Sequence, residues 1–349
     1  MEWRICLLLD SFMHMLTVMI VGLAMGATVT IGKAVGGKQM DQASLAVGNT
    51  VTLFMGVAGT VMIVLLLLVK PIVAVMSTPI AAVSGTITYL TICFIGIPFI
   101  TAYNIISSIF RGLGDSKSPM YFIIVACVAN ILLDYLFIGG LHMGAAGAAL
   151  GTTLSQTISV IVALCVIRKK QTGIRLQKND FKLQGQTMGQ ILQIGIPVAL
   201  QDGFIQIAFI VITIIANRRG LNEAAAVGIV EKIIGVVFLV PSTMLSTVSA
   251  LSAQNIGAGK HDRAVGTLRY ALLITVGYGI VVAIVMQFVS YHVVGLFTDD
   301  TVVVRLGDQY LQSYIWDTIF AGIHFSFSGY FCAYGLSAIS FIHNVLSIL

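Results

Sequence analysis

The chain has 349 residues, of which 58% are hydrophobic and only 9% charged, where an ordinary soluble domain carries about a quarter charged residues. Its net charge of +5 is spread from loop to loop and never gathered on one face, so a nucleic-acid surface is excluded. The apolar excess excludes a soluble globular domain and predicts an all-α, polytopic membrane protein whose partner is the lipid bilayer.

Apolar runs of about 20 residues or more, the length needed to cross a bilayer, predict helices over 5–32, 46–69, 82–110, 119–139, 144–167, 188–217, 223–254, 270–289 and 307–334, with a tenth beginning near 336. The first holds Asp10 and His14 and is longer than a signal-peptide core, so it is read as a span. It leads into "IGKAVGGKQMDQA", where Gly32 to Lys38 matches the spacing of a phosphate-binding loop up to the lysine. That loop needs Ser or Thr next to hold magnesium, and Gln39 stands there instead; it also follows a buried strand, whereas this stretch follows an apolar helix. The glycines are expected to end the helix and turn the chain at the membrane surface.

Basic residues sort by loop. The connections near 33–45, 111–118, 168–187 and 255–269 collect Lys33, Lys38, Arg111, Lys117, Arg168, Lys169, Lys170, Arg175, Lys178, Lys182, Lys260, Arg263 and Arg269, against Lys70, Arg218, Arg219 and Arg305 on the other side. The first set is therefore cytoplasmic. Cys6, Cys93, Cys127, Cys165 and Cys332 lie in apolar segments without a CxxC pair, which fits packing residues and implies neither disulfide nor metal.

A carboxylate in mid-bilayer costs at least about 2.5–3.5 kcal/mol, so each needs a reason. The candidates are Asp134, Asp202, Glu231 and Asp317. Asn130 precedes Asp134 by four residues and shares its helix face, placing an amide where it can bond the carboxylate. Burial raises a carboxyl pKa and an arriving cation lowers it, which suits exchange of a proton or sodium ion for another cation. The alternative for Asp134 is a protonated side chain tying two helices. Asp202 follows the kink-prone Pro197; Glu231 precedes Lys232, which favours a structural role; Asp317 beside Trp316 offers an acid and an aromatic suited to organic cations. Pro98, Pro197 and Pro241 lie inside apolar runs and are expected to bend or open them. Neither HExxH nor GxSxG occurs, and the scattered His14, His142, His261, His292, His324 and His343 read as packing or interfacial residues, so no enzyme and no cofactor is expected.

The chain repeats itself at an offset of 221. Val35-Gly36 falls on Ile256-Gly257, Asp41-Gln42-Ala43 on Asp262-Arg263-Ala264, Val73 on Val294, Tyr89-Leu90 on Tyr310-Leu311 and Phe99 on Phe320. Such a parallel repeat predicts two lobes related about the membrane normal: 1–167, a polar linker at 168–187, and 188–349. The offset leaves the helix at 188–217 without a first-copy partner and those at 119–167 without second-copy partners, so about 9–10 of an expected 12 helices are read here.

Three blocks then point to a family. "FRGLGDSKSPM" at 110–120, "NILLDYLFI" at 130–138 and "MGAAGAALGTTLSQ" at 143–156 resemble the multidrug and toxic compound extrusion (MATE) transporters; "GIPVALQ" at 195–201 and "AQNIGAGKHDRA" at 253–264 look like that family's second lobe. The resemblance implies two six-helix lobes forming a V around a cleft, and export of cationic amphipathic compounds in exchange for protons or sodium ions. It places a first-lobe ion site on Asn130, Asp134 and Thr152, together with an Asp of a first helix that has no counterpart in this sequence. Where some branches carry a second-lobe Glu, this chain offers Asp202 and Gln206.

The expected function is thus secondary antiport by a multi-pass protein of a bacterial cytoplasmic membrane, with small organic cations as substrates, H+ or Na+ as coupling ion, no nucleic acid, and a monomeric state if complete. Two alternatives remain: an inactive remnant or membrane interaction module, and a flippase for lipid-linked oligosaccharides, which calls for cavity cations that the spans lack apart from Lys232.

Overall fold

The computed structural model describes residues 2–75, 80–169 and 176–348. Among them the chain is helical and contains no strand: α1 (Glu2–Gly36), α2 (Met40–Val75), α3 (Ile80–Gly112), α4 (Lys117–Asp134), α5 (Gly144–Lys169), α6 (Gly185–Arg219), α7 (Leu221–Val237), α8 (Leu239–Gly257), α9 (His261–Gly295), α10 (Thr301–Tyr314), α11 (Asp317–Tyr334) and α12 (Ser337–Ile348). Eight segments among the described residues are long and apolar enough to cross a membrane. The fold is the all-α membrane bundle expected. It divides into two compact units, Met1–Ala199 and Leu200–Leu349.

In the first unit α3 packs against α1, α2 and α5. Its apolar side interlocks with α2 through Ala58, Val69, Val73, Leu90, Phe94 and Ile97. In the second unit Val230, Ile234, Val237, Val294, Leu311 and Ile315 gather α7, α9, α10 and the turn after α10 into one core. Val73 and Val294, Leu90 and Leu311, Phe94 and Ile315 are pairs at the 221-residue offset. Both cores are built on the same repeat positions.

The Gly-rich stretches are helix–turn–helix joints, not phosphate cradles. After α1, the Gln39 N–H donates to the Ala34 carbonyl at 2.9 Å and Lys38 takes the left-handed conformation with φ +59°. After α8, Lys260 N–H donates to Asn255 at 2.8 Å and Gly259 takes φ +70°. This is the bonding that closes a helix C-terminus, at the same repeat position in both copies. The joint between α3 and α4 explains "GLGDSKSP" locally: Gly114 turns with φ +84°, and Asp115 Oδ1 accepts from the backbone N–H groups of Lys117 and Ser118 at 3.1 Å. Asp115 thereby satisfies the free donors that open α4.

Two expected helices are broken. The run 223–254 divides at Phe238 into α7 and α8. Pro241 has no N–H for the Val237 carbonyl, four residues earlier, and its ring crowds it; the Tyr278 hydroxyl donates to that carbonyl instead, at 3.0 Å. The run 307–334 divides into α10 and α11 at Ile315-Trp316, where Thr318 and Ile319 donate three residues back to Ile315 and Trp316 at 3.1 Å. By contrast α3 and α6 continue through Pro98 and Pro197.

Lys178–Phe181 forms a 3-10 turn that sits on α2. The wholly buried Asn49 donates through Nδ2 to the Asp180 and Lys182 carbonyls at 3.1 and 3.2 Å, and its Oδ1 accepts from Gln184 N–H at 2.7 Å. Thr52 Oγ1 donates to Phe181 O at 3.0 Å. Gly48 lets the turn approach, since a Cβ there would meet the Asp180 carbonyl.

Candidate functional site

In the first unit Asp134 ends α4 and a π-helical turn, Tyr135–Gly140, follows at once. The wider turn is a local departure of the kind found at functional positions. Asp134 Oδ1 is buried and accepts no hydrogen bond, and it lies against Gly151 of α5, where a Cβ would collide with it. This oxygen has no protein donor, and a buried acceptor left without one is costly. Asn130, half-buried, shares the α4 face but gives Oδ1 no bond. Thr152 is exposed; its neighbours Gly151 and Thr153 turn to Asp134 and to Gly96 of α3. The structure therefore brings Asp134 to Gly151, a contact that the spacing of Asn130 and Asp134 does not contain. The side chain of Asp10 lies outside the described residues.

In the second unit, Glu231 of α7 accepts from Thr213 Oγ1 of α6 at 3.1 Å, with exposed Lys232 within electrostatic reach. Tyr310 feels the Glu231 charge, and Tyr314 that of both Glu231 and Asp317. The Tyr310 and Tyr314 rings are 5.7 Å apart, and Phe238 stands 6.3 Å from Tyr314. Two carboxylates thus lie within electrostatic reach of these tyrosines, whose rings, with Phe238, pack partly buried against the second-unit core. Tyr314 lies within reach of the Asp317 charge, and Trp316, the neighbour in sequence, is 44% exposed. Asp308, not singled out by the sequence, accepts from Gln312 Nε2 at 3.0 Å and from Ser290, tying α10 to α9.

Asp202 of α6 lies within electrostatic reach of Cys332 on α11, and Gln206 is half-buried on the same helix. One residue before Asp202, Gln201 is wholly buried and joins His324 and His343. These two histidines are not scattered packing residues: their Nδ1 atoms are 3.2 Å apart. Among the described residues no group of three or more His, Cys, Asp or Glu is placed to hold a metal ion.

The MatE family profile matches residues 7–136 and 197–349. Probable multidrug resistance protein YoeA of Bacillus subtilis is 26% identical over 310 residues, covering 86% of this chain and 67% of that protein. YpnP of the same species, also a probable multidrug resistance protein, is 31% identical over 273 residues, 78% and 61% respectively. Multidrug export protein MepA of Staphylococcus aureus is 24% identical, covering 89% of this chain and 68% of its own. The chain thus spans roughly two thirds of the length of these relatives. Among solved structures, an outward-facing multidrug resistance MATE family transporter of the MOP superfamily superposes with a TM-score of 0.90 at 21% identity, covering 99% of this chain and 77% of that one. A MOP superfamily transporter from Pyrococcus furiosus gives 0.88 at 21%, covering 97% and 75%. The family is one of multi-pass membrane transporters and not of enzymes, and with a profile match over most of its length this chain belongs to the MatE family.

Proposed function

We propose that the chain exports amphipathic organic cations across a bacterial cytoplasmic membrane in exchange for protons or sodium ions. The observation that carries the coupling is Asp134: a carboxylate oxygen buried against Gly151 without a donor gains most from a bound cation. Asn130 and Thr152 supply polar atoms one helical turn away on α4 and on the turn of α5 beside Gly151. Ion binding at Asp134 drives export only if it favours one conformation of the transporter over another. The acid-flanked rings of Tyr310, Tyr314 and Phe238 supply the cation-attracting surface, with Glu231 and Asp317 as its charges; Asp202 and Gln206 are the second-unit candidates for the ion. No cofactor enters the cycle beyond the coupling ion, no nucleic acid takes part, and the complete transporter works as a monomer.

The test is efflux of a fluorescent organic cation from proteoliposomes holding the chain, driven by an imposed proton or sodium gradient. Asp134→Asn should reduce gradient-driven efflux at least about tenfold, the loss of one transition-determining interaction of about 1.4 kcal/mol or more, while the variant still inserts. Unchanged efflux would overturn the role of Asp134. No efflux from the unaltered chain would overturn export altogether and favour a membrane interaction module, and movement of a lipid-linked sugar in its place would favour a flippase.

A further inference from the structure

We propose that His324, His343 and Gln201 form a binding site for a single proton in the second unit, and that taking up the proton reverses the Gln201 side-chain amide. The site is assembled from α6, α11 and α12. Gln201 Oε1 accepts from Ser340 Oγ at 2.9 Å and from Ser328 Oγ at 3.4 Å, and the two serine oxygens also touch each other. Gln201 Nε2 stands 3.3 Å from His324 Nε2. His324 Nδ1 stands 3.2 Å from His343 Nδ1, with the rings stacked at 5.2 Å and 22°.

Hydrogen-bond chemistry gives this chain a direction. An amide nitrogen only donates, so His324 Nε2 must be the bare nitrogen of a neutral imidazole. Its proton is then on Nδ1 and donates to His343 Nδ1, which leaves the His343 proton on Nε2. Both bare nitrogens, His324 Nε2 and His343 Nδ1, already accept. A proton added to either one leaves two N–H groups facing each other somewhere along the chain.

One rearrangement removes the conflict. If the Gln201 amide turns over, Oε1 accepts from His324 Nε2–H, the two amide hydrogens find the two serine oxygens, and the proton between the rings is shared. The serine oxygens become acceptors, and one hydroxyl donates to the other. Gln201 is wholly buried, so water cannot substitute for the reversal, and a half-satisfied buried network is costly. A second proton is opposed because it would place two imidazolium rings in contact.

The surroundings contain few competing charges. On α6 the carboxyl nearest in sequence is Asp202, next to Gln201, and it lies within reach of Cys332 on α11; on α12 the ring facing His324 is that of His343. Helix α8, which packs on α11, has no titratable side chain in residues 239–257, and α12 has only His343. From α9, also packed on α11, His261 meets Tyr334, ten residues from His324. Asp317 lies seven residues away at the other end of α11.

The test reads the rings and not transport, so a chain that exports nothing would still pass it. The full chain, labelled with 15N-histidine and held in lipid nanodiscs, is titrated by NMR from about pH 8 to about pH 3, so that a midpoint depressed by burial is still reached. At high pH His324 should show the Nδ1–H tautomer, and both rings should respond at one midpoint with uptake of one proton. Gln201→Glu places an acceptor beside His324 Nε2 in either orientation and should raise the shared midpoint by about one unit, tenfold in proton affinity. His343→Asn should move the His324 midpoint by a similar amount, and it carries the test should Gln201→Glu fail to fold. Two rings that each take a full proton at separate midpoints, or midpoints that neither variant moves, would overturn the site.

Discussion

In the first half of the repeat, α1 and α2 present Gly26 and Asn49 to the linker and to the opening turns of α6. In the second half the residues 221 positions later, Thr247 and Tyr270, line an open groove of about 630 Å³ between α8 and α9. Gly26 is where backbone meets backbone, since a Cβ would run into the Ile191 carbonyl oxygen, and Gly195 answers it from α6, 2.5 Å being all the room its own Cβ would have from Leu23 O. Gly48 does the same beneath Asp180. Their second-copy equivalents carry side chains: Thr247 and Arg269 are exposed, and Tyr270 is 72% exposed. The repeat preserves cores and joints, while glycine in one copy against a larger residue in the other marks the face that the chain covers.

The comparison breaks most sharply at Gly26. Gly26→Val should cost about 1–3 kcal/mol or more, because the clash is with a helix carbonyl that cannot rotate away, whereas Thr247→Val should be close to neutral. The thermal unfolding midpoint of each variant in detergent measures both; equal losses would show that the groove beside Thr247 is packed in solution as Gly26 is. Asn49→Leu comes next. It strips the Asp180 and Lys182 carbonyls and the Gln184 N–H of their partner, for about 1–3 kcal/mol, and should open trypsin cleavage after Lys178 and Lys182. Tyr270→Leu should leave digestion unchanged, and a linker equally protected in Asn49→Leu would mean that Thr52 and the fit of Gly48 hold it unaided.

Helix positions, the repeat and the membrane class were legible because they rest on long apolar runs and on pairs such as Leu90 and Leu311, which local sequence displays directly. Asp134, Glu231 and Asp317 stood out as candidates because charges are expensive where they stand. The linker clasp was hidden because Asn49 and Asp180 are 131 residues apart and neither is unusual in its own neighbourhood. Gln201 and His324, 123 residues apart, and His324 and His343, 19 apart, form a site with no local spacing at all. The acid-flanked tyrosines were half visible: "QYLQSYIWD" sets Tyr310, Tyr314 and Asp317 at helical intervals, but the break of the helix at Ile315-Trp316 is not written in that spacing.

The smallest expected effect separates the halves at their interruption. Pro98, Pro197 and Pro241 all stand inside apolar runs, yet of these only Pro241 marks a division between helices. The second half places Tyr278 where its hydroxyl takes the carbonyl that Pro241 cannot serve, while the first half has Ile20 and Val57 at the positions corresponding to Pro241 and Tyr278 and an unbroken α1. Tyr278→Phe should therefore destabilise the chain by about 1 kcal/mol. Pro241→Ala restores an N–H for Val237, so in that background Tyr278→Phe should cost little, giving a coupling energy of about 1 kcal/mol in a double-mutant cycle. If the hydroxyl costs the same to remove in both backgrounds, it is not the substitute donor. The division between α7 and α8 would then have to follow from the packing of Val237 and Ile234 in the core, not from the carbonyl that Pro241 leaves behind.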